Sequence, residues 1–408
     1  MRNLAEYTMN ETKNETALVV SINANTPPKK TEMELRSEDF GLKYADKKFL
    51  YEVMSIPTLS SYEYRMVMYI IMWAKQRNIE YKLDDYGNLY LTKGNLNDGE
   101  YYPCVTAHLD TVQSKHKAFI LAGAELDIRT RINKENKHEL YVDDIGIGAD
   151  DKGAIFIGLS MIDEFDTIKG AFFLEEEIGM KGSDHMDESF FDNVGYVIGF
   201  DSPDKNRSAW KCSGTKLFDS NFYINFMKPV CDKYGYTKFY SEPYTDIKKI
   251  VESKGLVCMN FCNGGYDAHD ITSEYIVAEE TDNALGMGIE LVETIGKTLH
   301  KISPNSETDT TDNNYMKTLG DDDRYGSYYR GYAGYGGTNN NKDNNNNTST
   351  TKTNNNENSV SEETVKYIVD VYEEAIANIK LGVETVCQNL GIKFDEHFKD
   401  IFNQEIKF

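Results

Sequence analysis

The hydrophobic positions form a dense middle between two sparse flanks. From residue 41 to 302 they recur in two rhythms. KKFLYEVMSIP and SSYEYRMVMYIIMWAKQRN carry them at helical spacing, YKLDDYGNLYLTKG reads as a strand, a tight turn and a second strand, and YPCVTAHLDTV as another strand. Helices and strands then alternate. DDKGAIFIGLSMIDEF, YTDIKKIVESKG and TDNALGMGIELVETIGKTL read as helices, AFFLEEE, VGYVIGFDS and LVCMNFCNGG as strands. This order predicts an α/β fold of three layers, a central mixed, mostly parallel sheet flanked by helices.

The flanks lack this periodicity. Residues 1–40, rich in Asn, Thr, Glu and Lys, read as disordered, and residues 303–361 as a low-complexity linker whose Asn, Gly, Ser and Thr bury too little apolar area to offset ordering entropy. In residues 362–408, Val365, Ile368, Val369, Tyr372, Ala375, Ile376 and Ile379 return to helical spacing. Such an amphipathic helix either docks on the core or pairs with another chain. Residues 41–302 are thus expected to form one catalytic-sized domain in a chain of 408.

Charge narrows the choice of partner. A net charge of −23 repels nucleic acid and anionic membrane surfaces alike. No stretch approaches the roughly 18 apolar residues of a membrane span, and the N-terminus lacks the apolar run of a signal peptide. The six cysteines form no CxxC pair and read as free, buried thiols of a reducing compartment. A cytoplasmic location is expected.

The candidate chemistry lies at the strand ends. CVTAHLD finishes at His108 and Asp110, FFLEEE at Glu176 and Glu177, YVIGFD at Asp201, and NFCNGGYDAHD brings in His269, while Asp150 opens a helix in GIGADDKGA. In an open α/β sheet the carboxyl ends of parallel strands share one crevice, so these residues can converge there. Two histidines among several carboxylates suit zinc or a similar divalent ion in a dinuclear site. Singly, each has a plainer reading: Asp150 as a helix cap, a strand-end Asp as a turn residue, a histidine as part of a satisfied core. His116, His138, His185, His300 and His397 are assigned to surface or structure.

AHLDTV, GIGADDKGA, EEEIGMKGS, GFDSP and GGYDAHDITSEY, in this order, resemble the metal-site motifs of the M20 family of zinc metallopeptidases, especially its tripeptidase T-like branch, related to the M28 and M42 dinuclear aminopeptidases. The resemblance implies two Zn²⁺ per chain, with Co²⁺ or Mn²⁺ as alternatives. It implies that His108 and His269 each bind one ion, that Asp150 bridges both, that Glu177 and Asp201 complete one ligand set each, and that Glu176 is the general base. In that family the peptide bond after the bridging aspartate, here Asp150–Asp151, is often cis. Asp110, two residues after His108, is placed to fix that ring's tautomer.

The adjacency of the glutamates also makes a structural demand. In a regular strand Glu176 would point away from Glu175 and Glu177, so the strand must end there and a turn must aim Glu176 and Glu177 together. The family's lid or dimerisation domain has no room, because only residues 202–268 lie between Asp201 and His269. The expected activity is exopeptidase, chiefly aminopeptidase, hydrolysis of short peptides. An N-acyl amino acid deacylase or other amidohydrolase on the same site is the alternative, and a non-catalytic metal-binding interaction protein the third.

Overall fold

The computed structural model describes residues 40–302 except residue 243, together with residues 315 and 318. The N-terminal segment before Phe40, the rest of the 303–361 linker and the 362–408 helix with its self-association lie outside the described residues.

The longer helices among the described residues are α1 (Lys47–Ser55), α2 (Tyr64–Gln76), α3 (His116–Ala122), α4 (Ala149–Glu164), α5 (Lys228–Tyr234), α6 (Ile247–Lys254) and α7 (Ala278–Ile295). The strands are β1 (Glu80–Leu83), β2 (Leu89–Lys93), β3 (Tyr102–His108), β4 (Arg129–Ile132), β5 (His138–Tyr141), β6 (Ile168–Phe173), β7 (Val194–Gly199), β8 (Arg207–Cys212), β9 (Thr215–Lys216), β10 (Lys238–Glu242), β11 (Cys258–Phe261), β12 (Gly265–Tyr266) and β13 (Tyr275–Val277).

The main sheet runs β1-β2-β6-β3-β7-β11-β8-β10, with β9 beside β8. Its centre is parallel, since β6, β3, β7 and β11 pair in one direction, while β1, β2 and β8 join antiparallel to their inner neighbours. Every residue of β3, β6 and β7 is buried, so both faces of the centre are covered. Helix α4, apolar almost all round, lies along β3 with α1 and α7 stacked on it, and α6 packs against β11. The α/β architecture expected from the alternating pattern is the one observed.

Two parts of the fold carry no clear sequence signal. Strands β8 to β10 extend the main sheet, and β12-β13-β5-β4 form a second, small antiparallel sheet. Both use short strands. Between Asp201 and His269 the chain builds β8 to β11 with α5 and α6 into the main sheet, so no separate lid stands there. Because the four central strands are parallel, their carboxyl ends open on one crevice.

Candidate metal centre

Strand β3 delivers His108 directly, as its last residue. Strand β6 stops at Phe173, and Glu175 takes a left-handed φ of 53°, which turns the chain before Glu176. The turn is closed by Gly179 and Met180, whose N–H groups donate to Glu176 O at 2.9 and 2.8 Å. Asp110 fixes it from below: Oδ1 accepts the Glu176 N–H (2.9 Å) and Oδ2 the Glu177 N–H (3.2 Å), with Ser60 Oγ also donating to Oδ2 (2.7 Å). The strand therefore ends where the sequence requires, and Glu176 and Glu177 line the same cavity with Asp150, Asp201 and His269.

Asp150 stands between the two histidines. Its Oδ1 is 3.0 Å from His108 Nε2 and its Oδ2 is 3.3 Å from His269 Nε2. Asp201 Oδ1 lies 3.7 Å from His108 Nε2, on one side, and Glu177 Oε2 lies 3.0 Å from His269 Nε2, on the other. Potential ligand atoms of His108, Asp150, Asp151 and Asp201 form one group within 4.8 Å of one another, and those of Asp150, Glu177 and His269 a second. The Asp150–Asp151 peptide bond is cis. His108 Nδ1 is 3.1 Å from the Asp110 carbonyl and 3.3 Å from its Oδ1, the orienting contact expected of Asp110.

The electrostatics reveal a site short of positive charge. Burial alone would depress His108, yet the carboxylates of Asp110, Asp150, Asp151 and Asp201 hold it well above the usual range. His269 is likewise raised to about 12, with Glu177 and Asp150 outweighing its burial. Burial lifts Glu177 to about 7 and Glu176 well above an ordinary glutamate, with neighbouring carboxylates adding to it. Asp201 is raised for the same reason. Only Asp150, held by both histidines against its burial, stays low. The buried Oε1 of Glu177 has no hydrogen-bond partner, and among the described residues no lysine or arginine lines the cavity. Divalent cations satisfy each of these features, so the donor set fits the metal that the resemblance implies.

Several participants escaped sequence reasoning. Asp151 is buried and accepts the His108 N–H through Oδ2 at 3.1 Å. Glu274, 1% exposed, accepts from Gly148 N (2.7 Å), Asp150 N (3.0 Å) and Gln113 Nε2 (2.6 Å), and so clamps the turn that carries Asp150. Gly148 makes that turn at φ 74°. Lys152, wholly buried, donates to Met54 O (2.6 Å) and Ile56 O (3.2 Å) and ties α1 to the start of α4. In the sequence Glu274 is marked only by its place beside His269 in GGYDAHDITSEY. Of the other histidines, His116 is buried between Thr58 and Gly146, His138 pairs with Glu279 and His185 stacks on Tyr86. His300 makes ring contacts with Phe222 and Phe226; His397 lies outside the described residues. The described cysteines are buried and form no disulfide with one another.

No family model matches the chain. Over 182 residues it is 25% identical to the cytosol non-specific dipeptidase of Escherichia coli (strain K12), covering 43% of this chain and 36% of that protein. The chain thus spans about a third of the length of that relative. Among solved structures, the aminopeptidase PepT from Bacillus cereus ATCC 10987 matches with a TM-score of 0.51 at 14% identity, over 62% of this chain and 100% of that one. A tripeptidase from Staphylococcus aureus subsp. aureus Mu50 gives 0.46 at 10% identity, over 62% and 99%. The likeness to PepT is one of fold, a mixed, mostly parallel sheet flanked by helices. The resemblance to M20-type metallopeptidases read from the motifs holds. No helix among the described residues is long and apolar enough to cross a membrane.

Proposed function

We propose that the chain is a metal-dependent peptidase, an aminopeptidase acting on short peptides through a dinuclear zinc site. The observation that carries this reading is Asp150, with one oxygen at 3.0 Å from His108 and the other at 3.3 Å from His269, each histidine having its own further carboxylate. His108, Asp150 and Asp201 would hold one ion, and Asp150, Glu177 and His269 the other. Bound there, such ions polarise a substrate carbonyl and acidify a water. Glu176 lines the cavity beside these ligands, takes the water's proton and passes it to the leaving amine. Asp110 keeps Glu176 and Glu177 aimed inward through their amides, and turns His108 through Nδ1.

Pocket composition supports an aminopeptidase over a deacylase. A deacylase for N-acyl amino acids must recognise a free carboxylate, which calls for a cation or a fork of donors. The cavity offers Asp150, Glu176, Glu177 and Asp201 instead, and Arg207 faces Asp204 at 3.4 Å outside it.

The test combines metal content with a screen of amino-acid anilides, dipeptides, tripeptides and N-acyl amino acids. Two ions per chain, hydrolysis of unblocked peptides, loss of activity on chelation and recovery with Zn²⁺, Co²⁺ or Mn²⁺ are expected. Undiminished hydrolysis by metal-free protein would end the proposal, and preferential cleavage of N-acyl amino acids would replace it by the deacylase.

A further inference from the structure

In β11, whose other residues are Cys258, Met259 and Phe261, Asn260 is fully buried between β7 and β8. A buried amide needs a donor for its oxygen and acceptors for its hydrogens. Asn260 finds them just beyond the end of β7: its Oδ1 accepts the Asp201 N–H at 3.0 Å, and its Nδ2 donates to the Asp201 carbonyl at 2.8 Å and to Ser202 Oγ at 3.1 Å. The register gives it room. Asn260 pairs with Gly199, the last residue of β7, where a Cβ would lie only 3.3 Å from Asn260 Oδ1.

One side chain thus binds both polar groups of the Asp201 backbone, where the chain has left the sheet. The Asp201 carboxylate groups with His108, Asp150 and Asp151, its Oδ1 at 3.7 Å from His108 Nε2, and stands outside the group of Asp150, Glu177 and His269. An amide of this length suits the task, since an ionised aspartate has no hydrogen to donate and a glutamine is one methylene longer. We propose that Asn260 is a positioning residue for Asp201: it fixes the backbone from which that carboxylate reaches the ion shared with His108 and Asp150, and so sets the affinity of that ion and not of its neighbour. This rests on the ligand role given to Asp201 above. Asn260 itself does not line the cavity.

The test is a titration of the full chain, stripped of ions, with Zn²⁺ or Co²⁺. Asn260→Asp keeps the shape and the acceptor but sets an oxygen against the Asp201 carbonyl, while Asn260→Ala removes both bonds without adding charge. Each variant is expected to weaken one ion by about 10- to 100-fold, the usual effect of losing the group that orients a ligand, and to leave the other at its original affinity. Asp201→Asn should weaken the same ion, and adding Asn260→Ala to it should weaken that ion little further, because both changes act on one ligand. Equal weakening of both ions, which general loosening of the fold would produce, an unchanged titration in both variants, or fully additive losses in the double variant each overturns the inference. A chain that binds no ion overturns it together with the functional reading, whereas two bound ions without hydrolysis of any peptide end that reading alone.

Discussion

The carboxylate of Asp110 binds the backbone amides of Glu176 and Glu177, at 2.9 and 3.2 Å, while its Oδ1 stands 3.3 Å from Nδ1 of His108. One fully buried side chain therefore joins the end of β3 to the turn after β6 and orients residues of both ligand groups. The sequence pattern assigns Asp110 the histidine alone. Its hold on the glutamate turn is the larger structural task.

Asp110→Ala should accordingly do more than free a tautomer. It leaves two half-buried amides and the Ser60 hydroxyl without their acceptor, at up to about 1–3 kcal/mol for each group stranded. We expect a fall in thermal stability together with a 10- to 100-fold loss of metal affinity. A variant with normal ion binding and an unchanged melting temperature would show that the turn holds itself.

Glu274 governs the other half of the site. Its three donors include the amide of Asp150, and Ile147 N and Gly146 N also bond to Glu274 O and Ile271 O at 3.3 and 3.0 Å, so the loop after His269 is stitched to the turn before Asp150. Glu274→Ala should weaken the ion held by Asp150, Glu177 and His269 more than its neighbour. Metal titration should then resolve one strong and one weakened site where the unaltered protein shows two strong ones. Equal weakening of both would point to general loosening instead.

These two residues mark what the sequence can convey. His108, Asp150, Glu177, Asp201 and His269 stood out because polar residues at the ends of four apolar strands, with Asp150 at a helix start between them, conflict with a bland reading of that pattern, and the fold does bring these five side chains together. Glu274 presents no conflict: a glutamate in a polar loop reads as solvated. Only the tertiary fold shows that Glu274 is buried. The small sheet was hidden for a related reason, since β12 and β13 are too short to display a period and β4 is largely exposed.

His116 makes stability sensitive to acid. Burial, reinforced by the Lys152 cation, pushes its pKa down to about 3 from an ordinary 6.5, and its ring bridges Gly146 O at 2.8 Å and the Thr58 backbone. The unfolded chain therefore binds a proton below about pH 6.5 that the folded chain refuses until about pH 3. This contribution is fully present above pH 6.5 and is lost as pH falls towards 3, with a slope of up to about 1.4 kcal/mol per pH unit. Chemical denaturation across that window should show a shallower decline in His116→Gln than in the unaltered protein. Parallel declines would mean that the ring is already protonated in the folded chain.

The three consecutive glutamates give the sharpest division of labour. Glu175 carries the left-handed turn, and its carboxylate receives Tyr86 Oη at 2.6 Å, the Ser61 hydroxyl and, at 3.6 Å, Lys181. It faces the supporting loops rather than the cavity. Glu175→Gln should keep the ions and nearly all turnover, at a cost of about 0.5–1.5 kcal/mol in stability from weakened hydrogen bonds. Glu177→Gln should lower ion content, because an amide is a poorer ligand than a carboxylate and the His269 side of the site loses negative charge. Glu176→Gln should keep both ions and bind substrate, yet lose turnover by about 10²- to 10⁴-fold, the contribution of a positioned general base. Bound metal, kcat and melting temperature measured side by side separate the three, since each variant should move a different quantity. If Glu175→Gln is the inactive, metal-replete variant while Glu176→Gln still turns over, the register of the turn is wrong by one residue and the base has been misassigned.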